Sequence, residues 1–269
     1  MSAPPLIVKV GGGAGIDFEA VARDLANLPG DAIIVHGANA ARAALASALG
    51  REVRVLTSVS GYSSVQSDDE AIELLMLAYS GLQNKKLVEH LQKAGRNAVG
   101  LTGLDGRLIT GRRNTGIRVR ENGRTLLVRD RSGKAASVNT ALLALLLENG
   151  YTPVVTMPIA DETGAAINSE NDDVVAIMAD AMGATTVVQL IEARGLMRDP
   201  ADDASLVAQI RLGALREWEA SAEGRFRRKL RALCRLADSP VQRRVIVADG
   251  RVARPISAAL EGAGTTIAA

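Results

Sequence analysis

Lys9 stands inside an apolar run, Leu6-Ile7-Val8-Lys9-Val10, that empties into Gly11-Gly12-Gly13-Ala14-Gly15. A lysine in such a strand is costly to bury unless its long stem carries the ammonium to the strand's end, beside an anion. The glycines that follow let backbone N–H groups crowd round that anion without hindrance from Cβ atoms, and a following helix N-terminus favours negative charge. Phosphate binding is the chemistry this combination suits. The run lacks both the Lys-Ser/Thr ending of a P-loop and the G-x-G-x-x-G spacing, so alone it fits a tight strand-to-helix turn with a snorkelling lysine equally well. A second small-residue turn, His36-Gly37-Ala38-Asn39-Ala40, follows the apolar run Ala32–Val35. His36 is a candidate base, although a ring satisfied by neighbouring backbone is the commoner arrangement when no carboxylate partner is visible. Further on, six polar residues in succession, Asn168 to Asp173, precede an apolar helix. Capping accounts for an Asn or Asp there, but not for six polar residues.

The spacing of apolar residues supplies the elements that must position these groups. Strands are expected near residues 6–10, 32–35, 97–101, 152–157, 185–190, 245–248 and 265–268. Helices are expected over 18–28, 41–49, 68–81, 137–148, 174–182 and 225–236, with 82–93 continuing the third or following a break. Residues 53–66 read as extended or hairpin, and 191–199 and 219–224 as loops. This alternation predicts an α/β fold, a three-layer αβα sandwich with a mainly parallel central sheet. Both small-residue turns then lie at the carboxyl edge of that sheet, where open α/β folds hold ligands. At 269 residues the chain is long enough for a large α/β unit or two lobes, and with 47% hydrophobic but only 2% aromatic residues its core must be aliphatic.

Cys234 is the only cysteine, which excludes an intramolecular disulfide and points to a reducing compartment. Residues 1–5 show no targeting pattern and no apolar run reaches the roughly 18 residues of a membrane span, so a cytoplasmic protein is expected. A net charge of +2 excludes a polycation and shifts attention to where the cations sit. Between Arg107 and Lys134 nine basic residues face two acids, in a strand-like stretch with the hairpin signal Glu121-Asn122-Gly123. The reading is a hairpin outside the core. Most charge runs are solvated faces, yet the density of Arg112, Arg113, Arg118 and Arg120 would steer an acidic partner. Without aromatics for base stacking, an acidic protein is favoured over single-stranded nucleic acid. The helix at 225–236 is also cationic, with six basic residues and no acid between Arg225 and Arg235.

Four features at these spacings, Val8-Lys9-Val10-Gly11-Gly12, His36-Gly37, Asn168-x-x-x-Asp172 and Phe226-x-x-Lys229, resemble the amino acid kinase family. Over its full length the chain is similar to acetylglutamate kinases, and more so to kinases acting on an acidic amino acid attached to the small carrier protein LysW. Asn84-Lys85, Gly103-Leu104-Asp105-Gly106-Arg107 and Ala248-Asp249-Gly250-Arg251 support the likeness. The resemblance implies an amino acid kinase/carbamate kinase-like fold whose N-terminal lobe, 1–180, holds substrate and dimer contacts and whose C-terminal lobe, 181–269, binds ATP. It implies a cytoplasmic homodimer that uses ATP and Mg²⁺ and meets an acidic LysW-type carrier, with no nucleic acid, no membrane and no metal site of the protein's own. By the same resemblance Lys9 and Lys229 neutralise the transferring phosphoryl group from opposite sides, Asp172 orients both, and Gly11, Gly12, Gly37 and Ala38 cradle phosphates. Ser63, Ser64, Val65 and Asn168 would line the substrate pocket, and Arg112, Arg113, Arg118 and Arg120 would receive the carrier.

The expected reaction is phosphorylation of the side-chain carboxylate of carrier-bound glutamate or 2-aminoadipate, giving an acyl phosphate and ADP. No general base is required, because that carboxylate is already ionised at neutral pH. The chain departs from the family at Ala38, in place of a glycine, and at Ile191-Glu192 and Phe226 beside the nucleotide. It departs again at Val65, where the family places an arginine on the substrate's α-carboxylate. Valine cannot make that bidentate contact, so Ser63, Ser64, Ser67 and backbone N–H groups are expected to hold the carboxylate. A small-molecule N-acetylglutamate kinase, a degenerate kinase-fold binding protein and, more remotely, a nucleic-acid-binding module remain the alternatives.

Overall fold

Leu6–Val10 (β1) and Ala32–His36 (β2) are apolar on alternate faces alike, and they lie side by side in the middle of an eight-stranded sheet, covered on both faces. The computed structural model describes residues 3–59, 61, 63–121, 124–199 and 201–268. Helix α1 (Phe18–Ala26) starts where the Asp17 side chain accepts from the Ala20 amide, and α2 (Asn39–Ala48) leaves the second small-residue turn. A short hairpin follows, β3 (Val55–Thr57) with β4 (Ser63–Val65). Asp68 caps α3 (Asp69–Leu75), which passes through a π-helical segment, Met76–Gln83, into α4 (Asn84–Lys93) and then β5 (Ala98–Thr102). The expected helices over 68–81 and 82–93 are thus one continuous column.

The basic stretch forms four strands, β6 (Ile109–Arg113), β7 (Ile117–Glu121), β8 (Arg124–Val128) and β9 (Gly133–Val138). β7 pairs with β8 as a hairpin inserted in sequence between β6 and β9, which pair with each other in a four-stranded sheet with β11 and β12. The turn residues Asn122 and Gly123 lie outside the described residues. This stretch does contribute to the core, contrary to expectation: Leu108 and Ile109 at its base are fully buried, and Val119 is nearly so. On β7 the exposed Arg118 and Arg120 flank buried Val119, whereas β8 is exposed along most of its length, Leu126 and Leu127 included.

Helix α5 (Thr140–Glu148) begins later than the expected residue 137, because 133–138 are paired in β9 and the Asn139 side chain caps the helix by accepting from the Leu142 amide at 3.2 Å. The chain continues through β10 (Thr152–Thr156), the short pair β11 (Ile159–Ala160) and β12 (Ala166–Ile167), α6 (Asn171–Ala181) and β13 (Thr186–Ile191). It ends with β14 (Gln209–Arg211), α7 (Leu212–Ser221), α8 (Gly224–Ala237), β15 (Arg244–Asp249), α9 (Pro255–Leu260) and β16 (Thr265–Ala268). Residues 219–221, expected as loop, belong to α7. Buried Leu215 anchors that helix, and the Trp218 ring meets Phe226 of α8 edge-on, with centroids 5.6 Å apart.

Strand order in the large sheet is β14-β16-β15-β13-β1-β2-β10-β5, parallel throughout except between β15 and β16. Alternate residues feed two cores. Ile7, Val35 and Val187 face α6 and α8, whereas Val8, Ile34 and Val188 face α1, α4 and α9. This is the expected three-layer sandwich. Among the described residues no helix is long and apolar enough to cross a membrane.

Candidate active site

Lys9 is carried by β1 to the carboxyl edge of the sheet, where it is only 8% exposed and its Nζ lies 3.0 Å from Oδ1 of Asp172 in the first turn of α6. Lys229 reaches the same place from α8. Burial, and then the Lys9 ammonium beside it, push its pKa below the ordinary lysine range, while Asp172 and Glu192 oppose the shift. The two ammonium groups thus stand close enough to repel, with the Asp172 carboxylate paired to Lys9 and Glu192 nearby. An anion placed between them relieves that repulsion.

The two small-residue turns interlock beneath the lysines. The Gly37 amide donates to Val10 O at 3.0 Å and the Ala40 amide to Gly12 O at 2.8 Å. A Cβ on Gly12 would collide with the Ala38 amide, so glycine is required for the two backbones to approach. Ala38, the expected fault in this cradle, keeps its N–H at a φ of −148°, on the side of φ space open to L-residues, and its methyl is buried. Glu192 lies over the first turn: its Oε1 accepts from the Gly15 amide at 2.6 Å, and a Cβ on Gly13 would strike the same carboxylate. The sequence marked residue 192 as a departure without finding this contact.

His36 is fully buried and holds the scaffold together. Nδ1 donates to Gly37 O at 3.1 Å and Nε2 accepts from Asn84 Nδ2 at 3.1 Å, a tautomer assigned from this pattern of partners. Burial lowers its pKa to about 4, against a smaller opposing effect of the Gly37 carbonyl, so the ring is neutral at physiological pH. It has no route to a substrate.

A cleft of about 1400 Å³ opens from the lysines towards the β3–β4 and β7–β8 hairpins. Eight cationic side chains line it against four carboxylates. Val65 is on its wall, as expected, and so are Asn168 and Ser67. Asn168 Nδ2 donates to Ser67 Oγ at 3.0 Å, and the Ser67 hydroxyl in turn donates to Val65 O at 3.3 Å, so this serine is committed within the wall. Ser63 and Ser64 belong to β4, but their side chains lie outside what the structure describes. Of the four arginines assigned to a carrier, only Arg118 lines the cleft. Arg112, Arg113 and Arg120 are exposed away from it, and Arg113 Nε donates to Asp130 O at 2.9 Å.

Three further residues on the wall escaped sequence reasoning: Asn39, Arg42 and Tyr79. Tyr79 Oη donates to Asn39 Oδ1 at 2.7 Å, and Arg42 lies over the Tyr79 ring, 5.9 Å from its centroid. A tyrosine among only three in the chain, on a helix otherwise aliphatic, was the available signal. Among the described residues no three His, Cys, Asp or Glu side chains gather as a metal site.

The chain matches the amino acid kinase family over residues 4–249. It is 42% identical over 268 residues to a LysW-aminoadipate kinase of Thermus thermophilus, covering 97% of this chain and 99% of that one. It is 40% identical over 266 residues to a LysW-aminoadipate kinase of Deinococcus radiodurans, with coverage of 97% and 91%. An acetylglutamate kinase of Prochlorococcus marinus is 33% identical over 224 residues, 79% of this chain and 67% of its own. Among solved structures, the carbamate kinase of Giardia has the same fold at 11% identity, with a TM-score of 0.65 over 100% of this chain and 99% of that one.

Proposed function

Because the chain belongs to the amino acid kinase family, we propose that it transfers the terminal phosphoryl group of ATP to the side-chain carboxylate of an amino-blocked acidic amino acid, glutamate or 2-aminoadipate, joined to an acidic LysW-type carrier protein. The products are an acyl phosphate and ADP. The arrangement that carries this reading is the pair Lys9 and Lys229 about Asp172, set over two interlocked small-residue turns. Residues 181–269 would contribute the nucleotide side of the cleft and residues 1–180 the substrate side.

The chain's own residues perform three tasks. Gly11, Gly12, Gly37 and Ala38 would shape the cradle for phosphate oxygens, the Gly11 and Gly37 amides being engaged with Leu190 O and Val10 O and so fixing the two turns. Lys9 and Lys229 neutralise charge on the equatorial oxygens as the phosphoryl group passes between two anionic oxygens, where preorganised cations are worth most. Asp172 holds Lys9 in place through its 3.0 Å ion pair, so the clamp is set before substrate arrives. Bound ATP would supply the phosphoryl donor, and Mg²⁺ would offset the charge of its phosphates. With no cluster of acidic or histidine ligands among the described residues, the ion would rest largely on phosphate and water oxygens, as Mg²⁺ commonly does.

An ADP-release assay with ATP and Mg²⁺ tests this directly, using carriers bearing glutamate or 2-aminoadipate beside free N-acetylglutamate. ADP formation dependent on a loaded carrier is expected. Turnover of N-acetylglutamate alone would make the enzyme a small-molecule kinase, and no turnover of any of the three would make the fold a binding protein.

A further inference from the structure

An acidic amino acid brings two carboxylates to the cleft, and the lysine clamp accounts for only one of them. The other needs a positive partner once water is displaced, because a carboxylate left unpaired on a closed protein wall costs far more than a neutral group. Val65 offers no charge, and the Ser67 hydroxyl is engaged with Val65 O and Asn168. The cations of α8 that face this cleft are already matched in part, since Arg228 pairs with Glu170 and Arg235 with Asp173.

Arg42 differs from these. Its guanidinium is half-buried over the Tyr79 ring, and Nη2 donates to Asn39 Oδ1 at 3.3 Å, an oxygen fixed in turn by the Tyr79 hydroxyl at 2.7 Å. Among the described residues it makes no ion pair with a carboxylate. Stacking and a single neutral acceptor therefore hold a planar, five-donor cation in place with its charge unspent.

Position agrees with this role. Arg42 lies in the first turn of α2, and its amide donates to Ala38 O at 2.9 Å, so it stands one helical turn beyond the Gly37–Ala38 cradle. It lines the same cleft as Lys9 and Lys229, so one extended acidic amino acid can reach both ends.

We propose that Arg42, held by Tyr79 and Asn39, binds the α-carboxylate of the acidic amino acid while its side-chain carboxylate meets the phosphoryl group. This rests on the phosphorylation reading above and adds to it the group that selects an α-amino acid over a simple ω-amino acid.

The test pairs a residue with a substrate atom group. Carriers are loaded with glutamate or with 4-aminobutyrate, which keeps the phosphorylated carboxylate and lacks the α-carboxylate. Arg42→Met should raise KM for the glutamyl carrier by roughly 10- to 100-fold, the loss expected of a charged hydrogen-bonded contact, with kcat changed much less. The same variant should lose no more than about threefold on the 4-aminobutyryl carrier, which the wild-type enzyme already uses poorly. Arg42→Lys, which keeps the charge and loses the fork, should fall between and guards against a folding defect in the methionine variant. Equal losses on both carriers, or none on either, would overturn the assignment while leaving the kinase reading intact. Failure of the wild-type enzyme to phosphorylate carriers bearing glutamate or 2-aminoadipate would overturn the kinase reading itself, and this assignment with it; were only the aminoadipyl carrier used, the same comparison is run with 2-aminoadipate against 5-aminopentanoate.

Discussion

In the proposed reaction the phosphoryl group passes between Lys9 and Lys229. Replacing either with alanine removes a cation from the developing negative charge, so kcat should fall by about two to three decades with folding intact. Asp172→Asn should cost less, since it removes alignment and not charge neutralisation. Steady-state kinetics on the three variants decides this, and normal turnover by Lys9→Ala would end the clamp assignment. Because burial and Lys9 hold the Lys229 pKa low, activity should decline as pH rises through that depressed value, before an ordinary lysine would lose its proton. Lys229→Arg should move the alkaline limb upward, as arginine stays charged. Lys9 and Asp172, which the structure pairs, each left a mark in the sequence, Lys9 as a charge misplaced in an apolar strand and Asp172 by excess polarity at a helix start, whereas Lys229 came only from the family resemblance. Arg42 and Glu192 were not legible in the sequence, because their meaning lies in partners far along the chain: Tyr79 for one, and the Gly15 amide for the other.

Among the elements, β2, α4 and β10 are tied by a buried polar knot. Asn84 Nδ2 meets both His36 Nε2 at 3.1 Å and Val154 O at 2.9 Å, while the Thr156 hydroxyl donates to His36 O at 3.0 Å. The knot supplies a pH-dependent part of stability. His36 has a folded pKa of about 4 against an unfolded value near 6.5, so the folded chain refuses a proton that the unfolded chain accepts. The contribution is therefore complete above pH 6.5 and is lost as pH falls towards 4, about 3 kcal/mol in all. Denaturant titrations across that window should show the decline, and His36→Gln should flatten it; an unchanged slope would place the titration elsewhere. Element types and their order were largely readable from periodicity, as β1 and β2 illustrate. Boundaries failed where tertiary contacts decide them, as at Asn139, where β9 pairing delays the helix, and at 219–221, where Leu215 and the Trp218–Phe226 contact sustain α7.

At the scale of the whole molecule, a net charge of +2 conceals a strongly asymmetric distribution: the cleft and the basic strands between Arg107 and Lys134 carry the cations together. Alternation of strand and helix was sufficient to anticipate the sandwich, but not that the basic stretch would be one strand pair nested in sequence within another, since strand pairing across 133–138 and 109–113 is non-local. Only Arg118 of the four arginines proposed to meet a carrier lines the cleft, yet attraction between charged surfaces acts before contact, over a Debye length of ~10 Å at 0.1 M salt and ~3 Å at 1 M. Arg112, Arg113 and Arg120 can thus raise the rate of encounter with an acidic carrier without touching the amino acid it bears. For the carrier-bound substrate kcat/KM should fall steeply with salt, and fall again at low salt when Arg112, Arg113, Arg118 and Arg120 all become glutamine. Turnover of any small amino-blocked substrate should barely change, because a small ligand offers no extended acidic surface to steer. The effect should appear in association rates, leaving kcat at saturating carrier near wild type. A quadruple variant that uses the carrier at the wild-type rate in low salt would reduce these hairpins to a solvated face, and would favour a small acylated amino acid as the substrate.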